Sequence, residues 1–200
     1  MQPKRVRLVV GLGNPGDTYR QTRHNAGFMV LDEVADFCSV VLKKSRSFPN
    51  LFYGRGAIEG TNTILVKPLA FMNRSGPPVQ KIANYYKILC EDVLVVHDDI
   101  DLAFGKLKIK RKGGDGGHKG IRSLRQALGG GEFVRLRIGV GRAEDEISVT
   151  DHVLGRFNPQ EKKVLEQIIT KAREAVVTIL CKGTKEGMNR FNDKRILIDS

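Results

Sequence analysis

Few features of this sequence invite a staple, a metal or a membrane. Its 200 residues hold three cysteines and no tryptophan. Cys38, Cys90 and Cys181 lie far apart, with no Cys-x-x-Cys pair and no Cys/His spacing of a zinc site. So sparse and odd a set excludes a disulfide framework. It fits a reducing compartment, with the thiols acting as small core hydrophobes. The first apolar run, residues 6–10, is too short for a signal peptide or a membrane span, so the mature chain is expected to begin here, in the cytoplasm. Aromatic residues are only 6% of the chain, which disfavours base-by-base stacking on a single strand. Internal repeats and low-complexity linkers are absent. Acidic residues are also in deficit: 22 Asp and Glu face 34 Lys and Arg, leaving a net charge of +12. An excess of that size points to a polyanionic partner.

What is present reads as one α/β domain spanning residues 1–200. Residues 6–10, 62–66 and 93–96 are short β-branched apolar runs, the pattern of buried strands. Lys67-Pro68 is expected to stop the second of them. Residues 107–111 and 133–140 alternate apolar with basic, the pattern of half-exposed strands. Helical spacing begins at Phe28 and runs to Cys38. A second helix starts at Pro77-Pro78 and a short one follows Gly120. Asn158-Pro159-Gln160-Glu161 is a capping box opening a long helix that Gly183 ends. Strands alternating with helices imply a twisted, mixed sheet, parallel at its centre and flanked by helices. Sites in such sheets form beyond the carboxyl ends of the strands, here the loops after Val10, Val66 and Val96.

The first loop, Gly11-Leu12-Gly13-Asn14-Pro15-Gly16, spells GxGxxG. A dinucleotide site needs a helix opening inside the glycine turn, and no apolar face begins before Ala26. The same loop supplies His24, which precedes its helix and is either a general base or a hydrogen-bonded cap. In the second loop Asn73 is either an amide donor to a carbonyl or a turn residue. The third, His97-Asp98-Asp99-Ile100-Asp101, fits a Mg²⁺ site, a solvated turn, or a carboxylate that orients a histidine. No serine or cysteine sits in a nucleophile elbow, which favours activated water. Between Lys106 and Arg125 there are eight basic residues and one acid, Asp115. If the strands at 107–111 and 133–140 pair, Lys108, Lys110, Arg135 and Arg137 form one cationic surface suited to phosphates.

Several stretches resemble one family. They are residues 9–16 with Tyr19 and Thr22-Arg23-His24-Asn25-Ala26-Gly27; Lys67-Pro68 with Phe71-Met72-Asn73-Arg74-Ser75-Gly76; His97-Asp98-Asp99; Gly113-Gly114-Asp115-Gly116-Gly117-His118; residues 135–142; and Met188-Asn189-Arg190-Phe191. Together they are similar to bacterial peptidyl-tRNA hydrolases. The resemblance implies a monomer without cofactor or metal, hydrolysing the ester between a peptide and the terminal ribose of tRNA. It implies His24 as catalytic base and Asp98 as its orienting carboxylate. Asn14 and Asn73 would bind the peptide end, Tyr19 and Met72 would line the cleft, and Lys108, Lys110 and Arg137 would meet a tRNA phosphate. The sequence departs from the family at Lys119, where an asparagine is usual. Lys119 is therefore a candidate for RNA or substrate binding. The rival expectation is a non-catalytic RNA-binding relative of the same fold, as known in organellar splicing.

Overall fold

The computed structural model describes residues 7–142 and 147–192; Val6, at the start of the first expected strand, lies outside them. Among these residues seven strands form one sheet: β1 (Arg7–Gly11), β2 (Lys43–Lys44), β3 (Leu51–Ile58), β4 (Thr61–Pro68), β5 (Val93–Asp99), β6 (Leu107–Lys110) and β7 (Val134–Gly139). Their order is β2-β3-β4-β1-β5-β7-β6. The inner four, β4, β1, β5 and β7, run parallel. β3 is antiparallel to β4, β2 to β3 and β6 to β7, so the sheet is mixed with a parallel centre, as expected.

Six helices cover it: α1 (Ala26–Phe37), α2 (Gly76–Tyr85), α3 (Lys119–Ala127), α4 (Val149–Leu154), α5 (Pro159–Lys182) and α6 (Thr184–Phe191). The period-two geometry of the strands divides the core in two. Val9, Leu65, Val96 and Leu136 face α1, α5 and α6. Leu8, Val10, Ile64, Val66 and Val95 face α2 and α3. Both faces being covered, the central strands read as unbroken apolar runs. α5 opens as the sequence indicates: Asn158 accepts from the Glu161 N–H at 2.7 Å, and Glu161 accepts from the Asn158 N–H at 2.6 Å. None of the described helices is long and apolar enough to cross a membrane.

Strand β3 has no counterpart in the sequence expectations. Its Gly54 and Gly56 interrupt the alternation that marks a strand. Both are required by close packing: a Cβ at Gly54 would lie 2.6 Å from the Val41 carbonyl oxygen, and one at Gly56 would lie 2.7 Å from a Val40 methyl. β4 runs two residues past Val66 and ends at Pro68, which is still paired with Leu51. The cysteines meet the expectation in part: Cys38 and Cys90 pack against the core, and Cys181 does not. Cys38 and Cys90 are half-buried, and Cys181 is exposed on α5, so none is a fully buried core residue.

Candidate active site

The first loop carries no phosphate-binding helix start. β1 ends at Gly11, two 3-10 turns follow, and α1 opens only at Ala26. Gly27 sits against the strand ends so closely that a Cβ there would lie 2.6 Å from the Leu12 nitrogen. The helix is therefore seated over β1 and β5, and the turn Arg23–Asn25 just before it is delivered to the carboxyl end of β5. The Arg23 N–H donates to the Gly155 carbonyl at 3.1 Å, and the Arg23 guanidinium donates to Glu161 at 2.7 and 3.3 Å. The start of α5 thus clamps the residue beside His24.

Asp98 lies inside β5 rather than in the loop after it. It is 1% exposed, and Nδ1 of His24 lies 3.0 Å from both of its oxygens. From the other side Nε2 of His118 lies 3.0 Å from Oδ1. His118 caps α3: its Nδ1 accepts from the Gly120 and Ile121 N–H groups at 3.1 and 3.3 Å. That leaves the proton on Nε2, which donates to Asp98. Burial alone would push the Asp98 carboxyl up, but the two imidazoles override it and hold it well below the usual carboxylate range. An ionised Asp98 only accepts, so His24 donates through Nδ1 and its Nε2 carries the free lone pair. His97 backs this group, with its ring edge-on to that of His118 at 4.8 Å. Its Nδ1 donates to the Asp98 carbonyl at 2.7 Å, and burial keeps it well below the usual imidazole range.

Asn14 ties the first two strand-end loops together. Its N–H donates to the Asn25 side chain at 2.8 Å, its carbonyl accepts from the Asn25 amide at 3.0 Å, and its Oδ1 accepts the Met72 N–H at 2.8 Å. Only the Asn14 NH₂ remains for a ligand. Asn73 is exposed and has no hydrogen-bond partner among the described residues. The sequence candidates Asn14, Tyr19, His24, Met72, Asn73, Asp98 and Lys119 all line one cavity of about 550 Å³. Its apolar lining includes Phe71 and Val149, Val153 and Leu154 of α4.

The donor atoms of His24, Asp98 and His118 lie within 4.8 Å of one another, a spacing a metal ion can bridge. Ligation through Nδ1 of His24 and Nε2 of His118 would take away the N–H groups that donate to Asp98. Asp99 and Asp101, the other carboxylates of this loop, are paired with Arg137 and Arg142. The arrangement is that of a base held and oriented by a carboxylate.

The cationic surface needs correction. Register places Lys108 opposite Arg137 and Lys110 opposite Arg135, as anticipated. Arg135, however, turns inward, 4% exposed, and donates to the carbonyls of Gly113, Gly114 and Gly131. It braces the glycine loop that carries His118. Arg137 is bonded to Asp99. Lys108 and Lys110 keep no ion-pair partner among the described residues. From the sequence His118 and Arg23 have no expected role in the site, and Glu161 only its place in the capping box of the last long helix. For His118 the available signal was a histidine at the start of a helix after a glycine loop. The Arg23–Glu161 pair, 138 residues apart, had none.

The chain has relatives along nearly its whole length. A peptidyl-tRNA hydrolase of Desulforudis audaxviator is 43% identical over 192 residues, 96% of each chain. One from Bacillus subtilis is 43% identical over 187 residues, covering 94% of this chain and 98% of its own. The crystal structure of peptidyl-tRNA hydrolase from Acinetobacter baumannii superposes with a TM-score of 0.89 over 98% of both chains, at 38% identity. The model of the family described as peptidyl-tRNA hydrolase matches residues 8–198, and with that coverage the chain belongs to the peptidyl-tRNA hydrolase family.

Proposed function

We propose that this chain cleaves the ester joining a peptide to the 3′-terminal ribose of tRNA, with water activated by His24. The observation that carries this reading is the hydrogen bonding of His24 Nδ1 to both oxygens of Asp98 at the wall of an open cavity. Asp98 fixes the tautomer, so Nε2 is the base. It takes a proton from water as the oxygen attacks the ester carbonyl, and Asp98 stabilises the imidazolium that forms. The same proton then goes to the leaving ribose oxygen. The free NH₂ groups of Asn14 and Asn73 bind the peptide end, and a donor that meets the oxyanion contributes about 3–4 kcal/mol to the transition state. Tyr19 and Met72 shape the cleft. Lys108, Lys110 and Arg137 hold a tRNA phosphate, and the enzyme acts as a monomer in a single domain.

The test is release of labelled peptide from N-acetylaminoacyl-tRNA. His24→Ala is expected to lose turnover by at least about 10²-fold while tRNA binding survives. Full activity in this variant removes His24 as the base. Absence of turnover by the unaltered chain, with RNA binding intact, would favour the non-catalytic reading.

A further inference from the structure

The carboxylates in the cavity wall are all engaged. Asp98 is enclosed by two imidazoles. Asp99 is bonded to Arg137. Asp115 accepts the Gly117 N–H at 2.9 Å, pairs with Arg122 at 3.3 Å and with Arg125 at 3.6 Å. The cation in the wall is not engaged. Lys119 is the only lysine or arginine among the lining residues, is exposed, and has no hydrogen-bond or ion-pair partner among the described residues. Its backbone is nonetheless well fixed. It is the first residue of α3, directly after His118, which both caps that helix and bonds Asp98. The ammonium is therefore tethered, through one intervening residue, to the carboxylate that orients His24. The partial positive charge of the helix start adds to it.

We infer that Lys119 is a specificity-determining residue that receives an anionic group of the substrate beside the scissile ester. This rests on the hydrolase reading of the site. A single flexible cation with no carboxylate to satisfy it recognises charge rather than shape, so its ligand is an oxyanion. Two such groups flank the ester of a peptidyl-tRNA: the phosphodiester preceding the terminal adenosine, and a side-chain carboxylate in the last residues of the peptide. The apolar lining residues Phe71, Val149, Val153 and Leu154 offer neither of them a partner.

Steady-state cleavage by the unaltered chain, Lys119→Gln and Lys119→Glu separates the two sources. The substrates are N-acetylglycyl and N-acetylaspartyl esters, each on adenosine and on the trinucleotide CCA, with N-acetylasparaginyl esters as the neutral control. The expected result is a loss of about fivefold in kcat/KM for Lys119→Gln, carried mainly by KM and larger for Lys119→Glu, confined to substrates that bear the anion. Loss only on the trinucleotides identifies the phosphodiester. Loss only on the aspartyl esters identifies the peptide carboxylate. An equal loss on every substrate, the neutral adenosine ester included, or no loss on any, overturns the inference while leaving the hydrolase reading in place. If the unaltered chain fails to cleave full-length N-acetylaminoacyl-tRNA, the hydrolase reading itself fails and this inference falls with it.

Discussion

Asp98 on β5 and Lys110 on β6 lie in one sheet with only β7 between them, yet their surroundings are opposite in kind. Around Asp98 the polar groups bond to one another: two imidazoles meet the carboxylate, helix amides fix one imidazole, and the Asn14–Asn25–Met72 bonds lock the loop beside it. On the edge strand β6 the side chains of Lys108 and Lys110 have no ion-pair partner among the described residues. The difference fits the two tasks proposed for them. Charge that must act at one atom is held buried and oriented in advance, where its field is strong. Charge that must attract a large polyanion works at long range, tolerates loose side chains and is screened by salt. Lys119 stands at the junction, a loose cation on a fixed backbone.

The strongest way to break this contrast is Asp98→Asn. An amide can donate to Nδ1 of His24 and so favour the wrong tautomer. The expected loss in kcat is on the order of 10²–10⁴, with tRNA affinity unchanged. Loss of affinity as large as the loss of rate would mean that the two regions are not separate. The same variant carries a pH signature. The folded Asp98 carboxyl titrates below its unfolded value of about 3.9, so its contribution to stability is present above that pH and is lost as pH falls through the folded value. Denaturant midpoints of the unaltered chain and the variant should keep a constant gap down to about pH 4 and converge below it. A gap that widens in acid would reverse the assignment.

A smaller effect is expected on the other side of the contrast. The double change Lys108→Ala and Lys110→Ala should raise KM for tRNA substrates severalfold at low salt and leave kcat within about twofold. The slope of log KM against log salt should flatten by about 0.7–0.9 for each phosphate that the variant leaves without a cation. A fall in kcat at saturating substrate would show that these lysines do more than attract RNA.

These differences also explain what the sequence disclosed. The alternation of Leu8, Val9 and Val10 between two cores, and the Asn158–Glu161 box, are local patterns with one physical reading, and the structure has both. Asp98 and His24 were legible as chemistry-bearing residues at strand and helix ends, although only folding brings them across 74 positions. β3 was hidden because its glycines serve packing against residues 40 and 41, which no local pattern encodes. Arg135 sits at an outward position by alternation, yet the carbonyls of Gly113 and Gly114 in the glycine loop, with that of Gly131, draw it in. Its inward turn depends on a loop more than 20 residues away, so alternation alone could not show it.

The smallest effect concerns the link between the rigid region and the rest of the fold. Glu161 caps α5 through the Asn158 N–H and grips Arg23, the residue before His24. The Arg23 and Glu161 side chains are only 11% and 14% exposed, so the pair is poorly screened by solvent. Glu161→Gln keeps one oxygen to accept from the cap or from Arg23, but it removes the charge and one of the acceptors. The expected cost is about 1–2 kcal/mol of stability by chemical denaturation. If the clamp also positions His24, kcat should fall about two- to fivefold with KM unchanged, because small misplacement of a base lowers rate rather than binding. This loss should persist at high salt, unlike that of the lysine variants. A drop in stability with kcat at the original level would confine Glu161 to capping α5 and place the boundary of the rigid region at the turn that holds His24.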